Sequence, residues 1–136
     1  MSAAIYLDTS AILRALLEAG ASPDIERGLR EARVLITSRL TVVEAARALL
    51  RLRQSGMVAE ARLADAAREL DALWARCDLW ELSSAVCDLA AAIAPAKPLR
   101  TLDALHLATY LLARRRLGEV ELVTADRRLA EAAEAV

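Results

Sequence analysis

Four short apolar runs of strand type constrain the fold of this chain more than any other feature. They are Ala3–Leu7, Val34–Thr37, Leu79–Leu82 and Glu121–Thr124, and the stretches between them carry apolar residues at helical spacing. Strands that alternate with helices predict a parallel sheet with right-handed crossovers and helices on both faces. We therefore expect an α/β fold of three layers, α/β/α, around a short central sheet of four strands, with a fifth strand left open.

The helices are bounded by ordinary start and stop signals. Pro23 suits the first turn of a helix, Ser83 or Ser84 can cap another, and the segment Pro95–Pro98 is a firm break. The predicted helices run from about Ile12 to Gly20, Pro23 to Ala32, Thr41 to Gly56, Ala59 to Arg76, Ser84 to Ala94, Thr101 to Gly118, and from Asp126 onward.

Size and composition restrict the class of protein. A chain of 136 residues without linker or repeat predicts a single domain, 1–136. The hydrophobic fraction of 57% is high, which indicates helices packed on both faces of a buried sheet, with some surplus for a subunit interface. The net charge of −1 excludes a strongly basic, nucleic-acid-binding coat but allows a local basic rim. Because only 3% of residues are aromatic, base stacking is not expected to be a main binding device.

The cysteines and the start of the chain indicate the compartment. Cys77 and Cys87 form no CxxC or zinc-ligand pattern, so we expect reduced thiols with a packing role. Asp8 follows the start too soon for an apolar targeting segment. The most apolar stretch, Leu79–Ala94, is too short and too interrupted by acids to span a membrane. These features predict a cytoplasmic protein.

Four acids occupy positions that such a fold brings to one edge. Asp8 ends the first strand, and Asp126 lies just beyond the fourth strand. Asp103 lies in the first turn of the helix after the proline-containing break, and Glu44 in the first turn of the helix after the second strand. In an open α/β sheet, ligands bind outside the carboxyl ends of the strands. We therefore expect these four carboxylates to be spatial neighbours.

Each acid also has a purely structural interpretation. Asp103 and Asp126 suit helix N-termini, Glu44 can form a capping box with Thr41, and Asp8 can serve as a turn residue. The combination favours chemistry, because converging carboxylates repel one another unless a divalent cation neutralises them. Hard oxygen ligands without a His or Cys cluster indicate Mg²⁺ or Mn²⁺ rather than zinc. A carboxylate-held metal is a common device for phosphodiester cleavage.

Four motifs in order along the chain resemble those of a known family. They are Leu7–Ser10, the isolated Glu44, Arg100–Ala108 and Leu122–Leu129. Together they resemble the motifs of PIN-domain ribonucleases, and among these the VapC-type toxins of bacterial and archaeal toxin–antitoxin pairs. The resemblance covers nearly the whole chain and implies the PIN-like form of the α/β/α fold. The chain departs from the family pattern in two places. A further short strand usually follows the last helix, whereas this sequence stops at Val136, and the usual aromatic residue before Thr124 is absent.

The resemblance also implies function. It implies that Asp8, Glu44, Asp103 and Asp126 bind Mg²⁺ or Mn²⁺, that the protein cleaves RNA endonucleolytically as a homodimer, and that a small VapB-like antitoxin inhibits it. By the same analogy Ser10 and Thr124 position a carboxylate or a metal-bound water. Local backbone hydrogen bonding at a strand end is an equally good interpretation of both residues.

Four basic residues flank these acids and are candidate RNA contacts: Lys97, Arg100, Arg127 and Arg128. Such contacts position phosphates without reading sequence. Arg114–Arg116 instead closes a helix, where cations are favoured electrostatically, and solvation is the better interpretation.

His106, the only histidine, lies one helical turn after Asp103. A metal-ligand or general-base role is open for it. We expect instead a helix-packing residue with one hydrogen bond, because a lone histidine is a poor metal signature.

Other classes of protein fit the acids less well. A phosphatase of the haloacid-dehalogenase type needs a second Asp soon after Asp8, and Thr9–Ile12 supplies none. A phosphoacceptor receiver needs a Lys after a late strand, whereas Lys97 lies between two prolines. A PIN-like nuclease for RNA processing without an antitoxin, and a catalytically silent partner-binding module, stay open as alternatives. The RNA target, the number of metal ions and the identity of the antitoxin are not specified by the sequence.

Overall fold

A computed structural model describes residues 3–136 as a parallel sheet enclosed by helices. The strands are β1 Ala4–Leu7, β2 Val34–Ser38, β3 Cys77–Trp80 and β4 Glu121–Val123, in the spatial order β3-β2-β1-β4, and every pair is parallel. The helices are α1 Thr9–Leu17, α2 Pro23–Glu31, α3 Arg39–Ser55, α4 Glu60–Arg76, α5 Ser84–Ala92, α6 Thr101–Leu117 and α7 Arg127–Ala135. The predicted α/β class with four strands is confirmed.

The two faces of the sheet carry separate hydrophobic cores. Ile5, Leu7 and Leu35 belong to one core, which buries side chains of α1, α3 and α4. Tyr6 and Ile36, the alternate residues of the same strands, belong to the other core, which buries side chains of α6 and α7. Successive side chains of a strand point to opposite faces, so a run that is apolar throughout requires helices on both sides. The three-layer arrangement follows from this pattern.

The strand order places a crevice at the carboxyl ends of β1 and β4. From β1 the chain adds β2 and then β3 on one side, and it later adds β4 on the other side of β1. The order therefore reverses between β1 and β4, and ligands of open α/β sheets bind at such a switch point. Asp8 directly follows β1, and Thr124 directly follows β4.

The third strand was predicted two residues too late. It begins at Cys77, immediately after α4, and pairs with β2 from Leu35↔Cys77 to Ser38↔Trp80. Glu81 lies beyond the strand and pairs with Arg39 at 2.9 Å. The prediction followed the apolar residues Leu79–Leu82, whereas backbone pairing with β2 determines which residues form the strand.

The predicted start of α3 at Thr41 was also wrong. The helix begins at Arg39, because the Ser38 hydroxyl accepts a hydrogen bond from the Leu40 amide and caps it. Thr41 is buried in the first turn, and its hydroxyl donates to the Thr37 oxygen at 2.8 Å, because the single Thr37 proton goes to the Leu7 carbonyl at 2.6 Å. The predicted capping box does not form, and Glu44 lies in the second turn rather than the first.

Other details differ from expectation. α1 begins at Thr9 and ends at Leu17, and Gly20 lies in the following turn with φ +85°. The chain passes from β4 into α7, and no fifth strand occurs among residues 3–136.

Both cysteines are free thiols, but only Cys77 packs against a core. Cys87 is exposed, so the prediction of a packing role for it was wrong. Within residues 3–136, no helix has the length and apolar character needed to cross a membrane.

Candidate active site

Asp8 is a buried carboxylate at the centre of the carboxyl edge. It is 5% exposed and caps the N-terminus of α1, where its Oδ1 accepts a hydrogen bond from the Ala11 amide at 3.0 Å. The Thr124 hydroxyl donates to Oδ2 at 2.7 Å, and the Ser10 hydroxyl lies 2.8 and 2.9 Å from the two oxygens. The side chain is therefore held in one orientation by its own helix and by the turn after β4.

The direction of these hydrogen bonds can be assigned. The Ser10 oxygen accepts from the Ala125 amide at 3.0 Å, and the Thr124 oxygen accepts from the Asp126 amide at 2.9 Å. An amide can only donate, and each hydroxyl has a single proton to give. Both hydroxyls can thus donate to Asp8 while the backbone after β4 fixes their oxygens. Ser10 and Thr124 couple that turn to Asp8.

Asp103 and Asp126 complete a region of like charge. Asp103 lies in the first turn of α6; its partial burial raises the pKa of its carboxyl, and the nearby charges of Asp126 and Asp8 raise that pKa further. Burial likewise raises the pKa of Asp8, although its hydrogen bonds oppose the shift. In residues 3–136, no ion pair involves any of these three acids. Their repulsion is therefore not relieved by a direct protein cation.

Asp126 has two roles in this arrangement. Its Oδ1 accepts a hydrogen bond from the Arg128 amide at 2.9 Å and so caps α7. Asp126 therefore caps a helix, as the structural interpretation expects, and its charge also raises the pKa of Asp103. The two interpretations are compatible, because a cap uses one oxygen of a carboxylate that has two.

Glu44 lies on the β2 side of the same edge and is held by two donors. His106 Nε2 lies 2.7 Å from Oε1, and the Thr9 hydroxyl donates to the same oxygen at 2.7 Å. Burial alone would raise the pKa of Glu44, but the hydrogen bonds from His106 and Thr9 outweigh it and lower that pKa. His106 is thus a direct neighbour of Glu44 and, on its other ring nitrogen, of Tyr6.

Sequence reasoning missed two members of this network as site residues. Thr9 belongs to the first motif and Tyr6 to the first strand, and neither position by itself indicates a role in the site. Tyr6 is fully buried, and its hydroxyl lies 2.9 Å from His106 Nδ1. The partners are 35 to 100 positions apart in the chain, so no local pattern connects them. The expectation of one hydrogen bond for His106 was too low.

The predicted basic residues occupy different surroundings. Lys97 pairs with Glu131 at 3.4 Å and, with Arg128, lines a cavity of about 570 Å³ beside α7. Arg127 lines a second cavity, of about 690 Å³, which includes Ser10 and Asp126. Arg100 is the N-cap residue of α6, three positions before Asp103, and its charge lowers the pKa of Asp103. Arg100 and Arg127 therefore lie beside the acids, whereas Lys97 and Arg128 line a cavity that includes none of the four.

The acids do not form a finished metal site. Among the described residues, no three His, Cys, Asp or Glu side chains are arranged so that they could hold a metal ion. Asp8 is fixed by its hydrogen bonds, whereas among the described residues the Asp103 side chain accepts no hydrogen bond and the Asp126 side chain accepts only one, from a backbone amide. The edge therefore carries carboxylate oxygens of which those of Asp8, Asp103 and Asp126 have no direct ion pair within residues 3–136.

Comparison with known proteins identifies the family. Residues 5–135 match the PIN domain, and the chain belongs to that family. Within it, the chain is of the VapC type. It is 38% identical over 135 residues to Ribonuclease VapC35 of Mycobacterium tuberculosis, covering 97% of this chain and 91% of that protein. Ribonuclease VapC46 of the same species is 37% identical over 131 residues, with 96% and 91% covered.

A solved structure supports the fold. The protein PAE2754 from Pyrobaculum aerophilum superposes with a TM-score of 0.68 at 24% identity, covering 98% of this chain and 83% of that one. At this identity the likeness concerns the fold alone. The resemblance inferred from the four motifs is confirmed at the level of the family.

We expect Thr124→Val to destabilise the protein by about 1–3 kcal/mol, because it removes a donor to a buried carboxylate and an acceptor for the Asp126 amide. Thr124→Ser keeps the hydroxyl and should stay close to the wild type. Urea unfolding at neutral pH measures both. Equal stabilities of the Val and Ser variants would contradict the hydrogen-bond arrangement at Asp8.

A second prediction concerns pH. Because the pKa of Asp103 is raised on folding, its carboxyl binds a proton more tightly in the folded state than in the unfolded state. Its contribution to stability therefore falls as the pH rises from the ordinary Asp value of about 3.9 through the raised value. In metal-free buffer, Asp103→Asn should gain stability relative to the wild type across this window. Urea unfolding at several pH values measures the difference in stability. Asp88→Asn, which removes an exposed acid of α5, is the control for the loss of one negative charge. A difference that shrinks with rising pH would show the opposite shift.

Proposed function

We propose that this protein is a Mg²⁺- or Mn²⁺-dependent endoribonuclease, formed by one domain over residues 1–136, that acts in the cytoplasm as the toxin of a VapBC-like pair. The observation that carries the proposal is the buried, hydrogen-bonded carboxylate of Asp8 beside the charges of Asp103 and Asp126. Asp8 and Asp126 also cap helices, but burial and mutual repulsion both disfavour the ionised form of the clustered acids. A bound divalent cation would remove that penalty.

The donor chemistry supports a hard divalent cation. Asp8, Glu44, Asp103 and Asp126 supply carboxylate oxygens only, which suit Mg²⁺ or Mn²⁺ better than zinc. In our proposal these four residues hold the metal, and the less constrained carboxylates of Asp103 and Asp126 adjust to it. When bound, the metal supplies activation of water and stabilisation of charge on the phosphate.

The chain's own residues prepare the site in defined ways. Ser10 and Thr124 hold Asp8 in place, because their hydroxyl oxygens are fixed by the amides of the turn after β4. Thr9 and His106 hold Glu44 by one oxygen. Arg127 lies in the cavity that includes Asp126, where a cation suits a bound phosphate. Fixed placement of Asp8 and Glu44 is the kind of preorganisation that supports charge stabilisation in a transition state.

Substrate and partners follow from the relatives. The VapC35 and VapC46 relatives are ribonucleases, which supports RNA as the substrate here. The VapC-type assignment supports a VapB-like antitoxin, and the exposed apolar residues Val43, Leu82 and Leu102 are compatible with the proposed homodimer.

We expect purified protein to cleave RNA with Mn²⁺ or Mg²⁺ and to lose activity in a chelator. Asp8→Asn and Asp126→Asn should each lower the cleavage rate by about 10²- to 10⁴-fold, the range for groups that act on protons or on transition-state charge. Asp88→Asn, which removes an exposed acid of α5, is the matched control and should leave the rate unchanged. A gel assay on a defined RNA measures the rates.

Three results would contradict this proposal in different ways. Cleavage that survives both site substitutions and the chelator would indicate a contaminating nuclease or another mechanism. Binding of a small partner protein without any metal-dependent cleavage would instead favour a catalytically silent PIN-like module. Cleavage without a copurifying antitoxin, and without growth inhibition on expression, would favour an RNA-processing nuclease.

A further prediction concerns the basic rim. The double reversal Arg127→Glu and Arg128→Glu should weaken RNA binding and lower the slope of log affinity against log salt by about 0.7 for each phosphate that the protein no longer neutralises. Reversal of Arg115 and Arg116, at the far end of α6, is the matched control. Filter binding in a chelator measures affinity without cleavage, and a thermal shift with Mn²⁺ should show that metal binding persists. Unchanged RNA affinity in the first variant would remove both residues from the substrate path.

A further inference from the structure

His106 bridges the buried Tyr6 and the partly buried Glu44 through its two ring nitrogens. The residue is 3% exposed on α6, with Nδ1 2.9 Å from the Tyr6 hydroxyl and Nε2 2.7 Å from Glu44 Oε1. The Tyr6 and His106 rings also meet edge to face, with centroids 6.2 Å apart. Hydrogen bonds and packing together fix the plane of the imidazole.

The protons in this chain of hydrogen bonds can be assigned. An ionised carboxylate only accepts, so Nε2 must donate its hydrogen to Glu44. A neutral imidazole then offers Nδ1 as an acceptor, and the Tyr6 hydroxyl donates to it. Burial raises the pKa of Tyr6 and keeps that hydroxyl protonated. Neither ring nitrogen retains a free lone pair, so His106 is not available as a metal ligand or as a general base.

The bonds to Glu44 are asymmetric. Thr9 and His106 both donate to Oε1. Oε2 accepts no hydrogen bond from the part of the chain that the structure describes. The Glu44 side chain is 25% exposed, in contrast to the 4% of His106. Oε1 therefore anchors the Glu44 side chain, and Oε2 has no hydrogen-bond partner among the described residues.

We propose that His106, oriented by Tyr6, is a positioning residue that anchors Glu44 through Oε1 and so reserves Oε2 for the reacting groups. This inference rests on the proposed function, in which Glu44 is an active-site carboxylate. Removal of such an outer hydrogen-bond partner from a metal or catalytic ligand typically costs 10- to 100-fold in affinity or activity.

The first test reads the imidazole directly. The chain has a single histidine, so a long-range ¹H–¹⁵N correlation spectrum of metal-free protein reports His106 without ambiguity. We expect hydrogen on Nε2 in the wild type, and a mixture of tautomers in Glu44→Ala. A wild-type ring with hydrogen on Nδ1 alone would overturn the inference.

The second test uses a matched pair of amides. In His106→Gln the amide nitrogen can take the place of Nε2 and donate to Glu44, whereas in His106→Asn the shorter side chain can meet only Tyr6. Gln should keep the cleavage rate within a few-fold of the wild type, and Asn should lower kcat by about 10- to 100-fold with little change in KM. Thermal unfolding will show whether both variants are folded. A loss of stability that is equal in the two variants would measure the structural role of His106, separately from its effect on kcat.

The outcomes separate this inference from the proposed function. Equal kcat values for folded Gln and Asn variants, in a protein with metal-dependent cleavage, would overturn the positioning role and leave the nuclease intact. If wild-type protein shows no metal-dependent cleavage, the proposed function fails and the positioning role for catalysis fails with it. The spectrum then still decides the hydrogen-bond arrangement at His106.

Discussion

The interaction on which the rest of this structure depends is the set of hydrogen bonds to the buried carboxylate of Asp8. A charge in that position is costly unless donors surround it. The donors come from α1 and from the turn after β4, through Ser10 and Thr124, whose oxygens are held by backbone amides. Two strand-to-helix corners are thereby fixed to a single side chain at the switch point of the sheet.

Beside this well-bonded carboxylate, the edge also carries acids that lack a direct counter-ion. Asp103 and Asp126 add negative charge beside Asp8 and form no ion pair within residues 3–136. The hydrophobic cores on both faces of the sheet offset that repulsion, since Ile5, Leu7 and Ile36 are essentially inaccessible to solvent. Electrostatic repulsion is concentrated at one edge, and the sheet beneath it is regular.

The sequence predicted what depends on local pattern and missed what depends on distant partners. The class, the order of elements and the position of Asp8 after β1 followed from apolar runs and strand ends. The start of β3 did not, because pairing with β2 decides it. Ser38 and Thr41 both suit a helix cap, and the structure distinguishes them because the Ser38 hydroxyl accepts from the Leu40 amide while Thr41 lies buried against Thr37. The contacts of His106 with Tyr6 and Glu44 join residues 100 and 62 positions apart.

Asp8 and Glu44 are held in opposite ways, and this difference bears on what each can offer a ligand. Both oxygens of Asp8 accept hydrogen bonds from the protein, whereas Glu44 is bound through Oε1 alone by the residues that the structure describes. A carboxylate oxygen has two lone pairs, so Asp8 retains little spare capacity and no freedom to turn. Glu44 keeps a whole oxygen, and the Asp103 side chain accepts no hydrogen bond from residues 3–136. On the proposed function, Asp8 would be the fixed ligand of a divalent cation, and Glu44 and Asp103 would be the carboxylates free to adjust to it.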